Sequence, residues 1–352
     1  MESVACSFCG ADSPAAFLVQ DGFNLVECRQ CGLLYVNPRP ERASIGRYYA
    51  ASYYAHSRRV GLAARLQGWR QKLLLAIAVN QGGYPQPAYP EFRTIRRLDW
   101  RLLAAFFKRR FNRIPPYAGT DHAPRALDIG SGSGAYLEML QQLGWEAWGV
   151  EPDAQGVQIA RERGCPNVIN GTLEAGSFAE ASFELLINKA MGKSKRFAEV
   201  SFDLVTCWDS LEHTFDPGYV LREAQRLLKP GGWLFVKVPN PGCLEARLWR
   251  EDWAGYDLPR HLYHFTPHRL QAYLEQQGFL VQDICFVSPP NMVASGLILG
   301  LSRRWPRLTW LQRLHGWLTI ACIPAAWLLD HLGSGNTYQV VARKSAHREE
   351  KS

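Results

Sequence analysis

The chain has 352 residues, 47% of them apolar and 20% charged, which is enough to bury a full core and long enough for one large domain with appendages or for two domains. Its 30 Gly and 21 Pro are near ordinary usage, which excludes collagen-like and low-complexity chains, and a miniprotein held together by disulfides is excluded by length alone. The net charge of +8 is local: residues 56–113 carry 13 Lys/Arg against 2 Asp/Glu, a net of +11, so the rest of the chain is slightly acidic.

The first residues, MESVACSFCGADS, lack the basic-then-apolar layout of a secretory signal, which predicts a cytoplasmic setting and reduced cysteines. Cys6-x2-Cys9 and Cys28-x2-Cys31, separated by 18 residues, have the spacing at which two tight knuckles place four thiolates around one zinc. Gly10 and Gly32 follow the pairs and let the chain turn there. A closed four-cysteine site has no open position for substrate, so the expected role is structural. Cys165, Cys207, Cys243, Cys285 and Cys322 are scattered singly and read as buried thiols.

Residues 1–40 thus form a zinc-ribbon unit, and 41–123 a basic segment of helical character interrupted by the loop QGGYPQPAYP at 81–90. From 124 to 290 short apolar runs alternate with helical stretches. RALDIG, WEAWGVE, NVING, FDLVTCW and WLFVKVP read as strands; Tyr136–Leu143, Asp153–Arg163 and Tyr219–Leu228 read as helices. That alternation predicts a parallel sheet covered on both faces. FAEASFELL at 178–186 echoes FAEVSFDLV at 197–205; the second copy runs into CWDSLEH and is taken as the strand, leaving 184–200 as a surface insertion. A sixth strand, FLVQDICFV, precedes a Trp-rich amphipathic segment at 291–335, expected to be a helical hairpin, after which 336–344, containing TYQVVARK, resumes the sheet and 345–352 form a tail. The uncharged stretch from Gly316 to Leu329 is too short to span a bilayer.

The segment Leu127-Asp128-Ile129-Gly130-Ser131-Gly132-Ser133-Gly134-Ala135 falls where the first strand of this region turns into its first helix. Glycines there let backbone approach a ligand, and the helix N-terminus aims amides at it. With Glu151 downstream as a ribose-binding carboxylate, the spacing also satisfies a dinucleotide pattern. Asp128 separates the two readings. Its carboxylate would repel a pyrophosphate but attract the ammonium of an amino-acid moiety, which favours a cationic nucleoside such as S-adenosylmethionine.

LDIGSGSG, WGVEPD, FDLVTCWDSLEHTFDP and LREAQRLLKPGGWLFVKVPN together resemble the class I S-adenosylmethionine-dependent methyltransferases, over about 124–290 plus 336–344. The resemblance implies an α/β fold: a Rossmann-like sheet of seven strands, the last antiparallel, here with an N-terminal zinc ribbon and helical insertions. It implies cofactor contacts from Asp128, Gly130, Ser131, Gly132, Gly134, Tyr136, Glu151 and Trp208, and adenine contacts near Thr172 and Leu173. His213, after the fourth strand, and His261, within Arg260-His261-Leu262-Tyr263-His264, resemble histidines of ubiquinone-type O-methyltransferases and are the candidate bases. Asp209-x2-Glu212-His213 is similar to a divalent-metal cluster proposed there. Thr266-Pro267 reads as a helix N-cap and first helical position. The cysteine unit ahead of such a domain resembles bacterial zinc-ribbon methyltransferases associated with glycan or lipid-linked metabolism.

The sequence therefore predicts methyl transfer to a small-molecule, sugar or lipid-linked acceptor. Arginine-studded helices and a Trp-rich amphipathic segment suit peripheral contact with an anionic membrane face. Three alternatives stay open: an RNA methyltransferase carrying a zinc ribbon, although no RNA-binding module is seen beyond the basic stretch; an NAD(P)-dependent oxidoreductase; and a non-catalytic, zinc-dependent interaction protein.

Overall fold

The computed structural model describes residues 1–49, 84, 123–173 and 202–345. The expectations for the basic segment 56–113 and for the insertion 184–200 lie outside the described residues, apart from Tyr84. The Tyr84 hydroxyl is buried and accepts a hydrogen bond from Trp145 Nε1 at 2.9 Å.

Two sheets form. Strands β1 (Pro14–Gln20), β2 (Phe23–Cys28) and β3 (Leu34–Val36) make an antiparallel sheet with β9 (Tyr263–His264). The other strands are β4 (Arg125–Ile129), β5 (Glu146–Glu151), β6 (Val168–Asn170), β7 (Phe202–Trp208), β8 (Leu228–Pro239), β10 (Phe279–Val287) and β11 (Thr337–Lys344). They form one seven-stranded sheet in the order β10-β11-β8-β7-β4-β5-β6. β4 pairs in parallel with both β5 and β7, and β5 with β6, which is the α/β sheet the alternating text predicted. β11 lies beside β10, so the segment between them is an insertion between neighbouring strands.

The chain divides into two compact units, each discontinuous in sequence. One contains the described residues 84, 123–173, 202–208, 223–235 and 344–345. Here β4 is buried almost throughout because both its neighbours and the flanking helices cover it. Helix α1 (Ala135–Gln142) buries Leu137, Met139 and Leu140. Helix α2 (Ala154–Glu162) starts at Asp153, whose carboxylate accepts the Gly156 N–H at 3.0 Å, a conventional N-cap.

The other unit contains residues 1–49, 209–222 and 236–343. Helix α3 (Pro217–Leu227) begins in this unit and, one residue short of the expected end, gives way directly to β8. Lys229-Pro230-Gly231-Gly232, turn-like in composition, is therefore part of the strand, kinked at Gly231, where φ is +72°. Lys229 Nζ, bonded to Asp203 Oδ1 at 2.6 Å, holds that stretch against the start of β7. Helix α5 (Pro267–Gln276) begins as expected: the Thr266 hydroxyl accepts the Arg269 N–H and Pro267 occupies the first turn. The 291–335 segment departs from a simple hairpin. Helix α6 (Pro290–Arg304) is followed by a 3-10 stretch (Pro306–Leu314), then α7 (His315–Ala321) and α8 (Ile323–His331). Pro306 and Pro324 supply the breaks, since each lacks an N–H and clashes with the preceding turn. Among the described residues no helix is long and apolar enough to cross a membrane.

Helix α4 (Leu244–Trp249) buries Glu245, one of whose oxygens has no hydrogen-bond partner among the described residues. Burial pushes this carboxyl up to about 7, opposed only in part by hydrogen bonds from Asn336 and Trp253. A raised carboxyl favours the folded state below its unfolded value and loses that contribution as pH rises through the folded value. Stability is therefore expected to fall between about pH 4.5 and pH 7, by about 3 kcal/mol at most. Glu245→Gln should flatten this dependence in urea titrations at several pH values; an unchanged slope would show that another group carries it.

Candidate functional site

Three constellations carry chemistry. The first is the cysteine cluster. Cys6 Sγ and Cys31 Sγ are 3.4 Å apart, Cys9 Sγ and Cys28 Sγ 3.6 Å, and all four sulfurs lie within 4.8 Å of one another. Tetrahedral Zn–S bonds of about 2.3 Å require sulfurs about 3.8 Å apart, so the donors fit one zinc. The Cys6 carbonyl accepts the Gly10 N–H and the Cys28 carbonyl the Gly32 N–H, which closes each knuckle in the same way.

The second is the glycine turn between β4 and α1. Gly130, Gly132 and Gly134 all have positive φ, at +76°, +53° and +73°. The Glu151 carboxylate at the end of β5 accepts the Gly132 N–H at 2.7 Å with one oxygen and the Asp153 N–H at 3.0 Å with the other. Each bond uses one of several acceptor positions, so the carboxylate, fixed in orientation, can still take the two hydroxyls of a ribose diol. The turn is packed closely. A Cβ on Gly149 would come within 2.6 Å of Ser131 Oγ and 2.8 Å of Leu137 Cδ1, and one on Gly134 within 2.8 Å of the Ala160 Cβ. Gly149→Ala is accordingly expected to cost about 1–3 kcal/mol in chemical denaturation and to displace the turn.

Asp128 is 2% exposed and accepts the Thr206 hydroxyl from β7 at 2.6 Å. Thr206 is a partner that sequence reasoning missed, because cross-strand neighbours 78 residues apart leave no local signal. The Tyr136 and Trp208 rings meet edge to face with centroids 5.3 Å apart, and Trp208 also contacts Phe235. Thr172 and Leu173 follow β6, Leu173 buried, and the Gly171 N–H just before them donates to the Glu151 carbonyl at 2.9 Å.

The third constellation lies on the segments following β7 and β8. Glu212, His213 and His261 offer ligand atoms within 4.8 Å of one another, and the two rings meet edge to face at 4.6 Å. His213 Nδ1 is 3.0 Å from the Arg260 carbonyl, and His261 Nδ1 is 3.0 Å from the Gly255 carbonyl. A carbonyl only accepts, so each Nδ1 carries the proton and each Nε2 presents a lone pair. Tyr49 Oη also lies 3.0 Å from His213 Nδ1. Burial, then the proximity of His261, holds His213 well below the ordinary imidazole range; burial lowers His261 as well, so both rings are neutral at neutral pH. Glu212 is 1% exposed with neither oxygen hydrogen-bonded among the described residues, and burial followed by the charge of Asp209 raises its carboxyl well above the usual range. Asp209, first in the sequence pattern, is not part of this group: its carboxylate bonds Lys237 Nζ at 2.5 Å, and His261 takes its place.

Residues 95–284 match the family described as a methyltransferase domain. The chain belongs to that family. A ubiquinone biosynthesis O-methyltransferase of Bordetella avium is 31% identical over 189 residues, 51% of this chain and 72% of the relative. One from Xanthomonas oryzae is 30% identical over 166 residues, 46% of this chain and 64% of its own length. The chain therefore spans a little less than two thirds of that relative. An S-adenosylmethionine-dependent methyltransferase structure from Thermotoga maritima aligns at 18% identity with a TM-score of 0.42, covering 72% of this chain and 96% of the other.

The chain carries that family's methyltransferase domain on a Rossmann-like seven-stranded sheet. In this methyltransferase the glycine turn brings together Gly130, Ser131, Gly132, Gly134 and Glu151, and His213 and His261 stand side by side although 48 residues apart in sequence. Glu212 was visible in the sequence only as part of a local pattern, and its burial with no side-chain hydrogen-bond partner among the described residues emerges only from the fold.

Proposed function

We propose that the chain transfers the methyl group of S-adenosylmethionine to a hydroxyl oxygen of a small-molecule acceptor, lipid-linked or glycan-linked and met at a membrane face. The observation supporting oxygen as the acceptor atom is the paired Nε2 lone pairs of His213 and His261, each fixed by an Nδ1–H to carbonyl bond. A hydroxyl must lose its proton as it attacks, so a neutral, oriented imidazole is the group required. S-adenosylmethionine supplies an electrophilic methyl on a sulfonium that departs as a neutral thioether. Glu151 orients the ribose, the Gly130 to Gly134 backbone lies along the donor, and Tyr136, Thr172, Leu173 and Trp208 border it. Asp128 favours a positively charged amino-acid end. His213 or His261 takes the acceptor proton on Nε2. Cys6, Cys9, Cys28 and Cys31 hold a structural zinc in this reading, within a ribbon over 1–40, ahead of a core over 124–290 and 336–344.

A second reading of the histidine cluster rests on the orphaned Glu212 carboxylate. Two imidazoles and a carboxylate within reach of one another also suit a divalent cation, which would acidify a bound hydroxyl. The relatives are named for O-methylation in ubiquinone biosynthesis, which is consistent with either arrangement.

The experiment is labelled methyl transfer from S-adenosylmethionine into lipid, glycan, small-molecule and RNA fractions. Label in an alkali-stable methyl ether of a lipid or small molecule is expected; label in RNA would overturn the reading. His213→Ala is expected to lower turnover by about 100- to 10,000-fold with donor affinity unchanged by calorimetry. Metal analysis separates the two readings of the cluster: beyond the ribbon zinc, a second ion lost in Glu212→Gln favours the cation.

A further inference from the structure

The segment between β10 and β11 buries Val293 and Ile298 but leaves its tryptophans and several leucines and isoleucines exposed. Its small residues face inward: Ala294 on α6, Cys322 at the α7–α8 junction and Ala326 on α8 form a buried cluster with Val293. Its largest apolar side chains face outward, with Trp317 75% exposed, Leu332 68%, Ile320 60% and Trp310 51%. In a water-facing helical element the order is the reverse, because each exposed large side chain forgoes its burial free energy. Large apolar side chains left exposed together in one element point to a contact site.

The charges around the face identify the occupant. Residues 290–333 contain four arginines against Asp330 alone. Arg303 is engaged by Asp252 at 2.9 Å. Arg304, Arg307 and Arg313 are exposed, and none has a carboxylate within salt-bridge distance among the described residues. They share the 303–317 stretch with Trp305, Trp310 and Trp317, and the Arg304 guanidinium lies 6.0 Å from the Trp305 ring centroid. A protein partner with an apolar face would leave the arginines unmatched. An anionic phospholipid surface matches both features, since indole rings settle at the headgroup level and arginines meet phosphate. The helices are too short to span, so the contact lies in the plane of the interface.

We infer that the α6–α8 element docks this protein onto anionic phospholipid bilayers through Trp310 and Trp317, with Arg304, Arg307 and Arg313 on the headgroup phosphates. The inference deepens the proposed lipid-linked acceptor and rests on that reading only for its biological setting.

The test is co-sedimentation of the full chain with vesicles of phosphatidylglycerol in phosphatidylcholine and with phosphatidylcholine alone. Binding is expected to the anionic vesicles, with tryptophan emission quenched by lipids brominated in the acyl chains. Arg304→Gln/Arg307→Gln/Arg313→Gln is expected to weaken it on the order of 100-fold. Trp310→Ser/Trp317→Ser should abolish the quenching while circular dichroism and S-adenosylmethionine affinity stay at the wild-type level, both side chains being exposed. Equal affinity for the two vesicle types, no binding of the wild-type chain, or binding unchanged in the tryptophan variant would each overturn the inference. So would a dimer in light scattering that dissociates in the tryptophan variant, which would assign the face to a second copy. Methyl transfer to a soluble acceptor measured in parallel tells failure of docking from failure of the proposed chemistry.

Discussion

Replacing Glu151 with alanine is expected to weaken S-adenosylmethionine binding by about 100- to 10,000-fold, the largest effect of any single change in the donor site. Two contributions add. The variant loses two charge-assisted hydrogen bonds to the ribose diol, worth about 1.5–3 kcal/mol each. It also releases the Gly132 and Asp153 N–H groups that the carboxylate holds at 2.7 and 3.0 Å, so the glycine turn loses its tie to the end of β5. Glu151→Gln separates the two. The amide oxygen can replace one backbone contact but not both, so affinity should fall between those of the wild type and the alanine variant. Calorimetry with S-adenosylmethionine and S-adenosylhomocysteine, alongside a thermal melt, is the measurement. Wild-type affinity in Glu151→Ala would remove the ribose assignment.

Cys28→Ser is expected to release zinc and unfold the N-terminal strands. Binding of a structural zinc contributes on the order of 10 kcal/mol, comparable to the total stability of a domain, so a three-cysteine remnant cannot hold the knuckles closed. Zinc content should fall from one equivalent in the wild type by one equivalent in the variant, and limited proteolysis should cut first within residues 1–40. The consequence should extend along the chain. β3 pairs with β9 through Leu34 with His264 and Tyr35 with Tyr263, and His261 lies two residues before β9. Loss of the ribbon is therefore expected to reduce turnover more than donor affinity. A variant that loses zinc yet resists proteolysis would show that the ribbon is held by its apolar contacts, Leu25, Leu34 and Val36 on Trp253 and Tyr256.

Much of this architecture is legible in the sequence because it is written in local patterns. The two Cys-x2-Cys pairs, the Thr266-Pro267 cap, and the alternation of apolar runs with amphipathic helices each depend on residues a few positions apart. The glycine turn is legible for the same reason, down to Glu151, whose distance along the chain is set by one helix and one strand. Long-range pairings leave no such trace. Thr206 is paired with Asp128 because β7 and β4 are neighbours in register, and His261 replaces Asp209 beside Glu212 because the segment after β8 folds back. The extent of β8 was obscured by Lys-Pro-Gly-Gly, which has turn composition but sits in an extended strand with one kink. The exposure of the tryptophans in the α6–α8 element was unreadable for a further reason: amphipathicity shows that a helix has two faces, not which one is covered.

The two-residue strand at Tyr263–His264 completes a sheet whose other members are finished by residue 36. On the ribosome, the outer edge of β3 must wait for more than two hundred further residues before its partner exists. Until then the nascent N-terminus carries an open row of backbone amides and carbonyls, which invites strand addition from other chains. Truncations that keep the cysteines but stop before residue 264 should therefore aggregate, whereas the intact polypeptide closes that edge for itself.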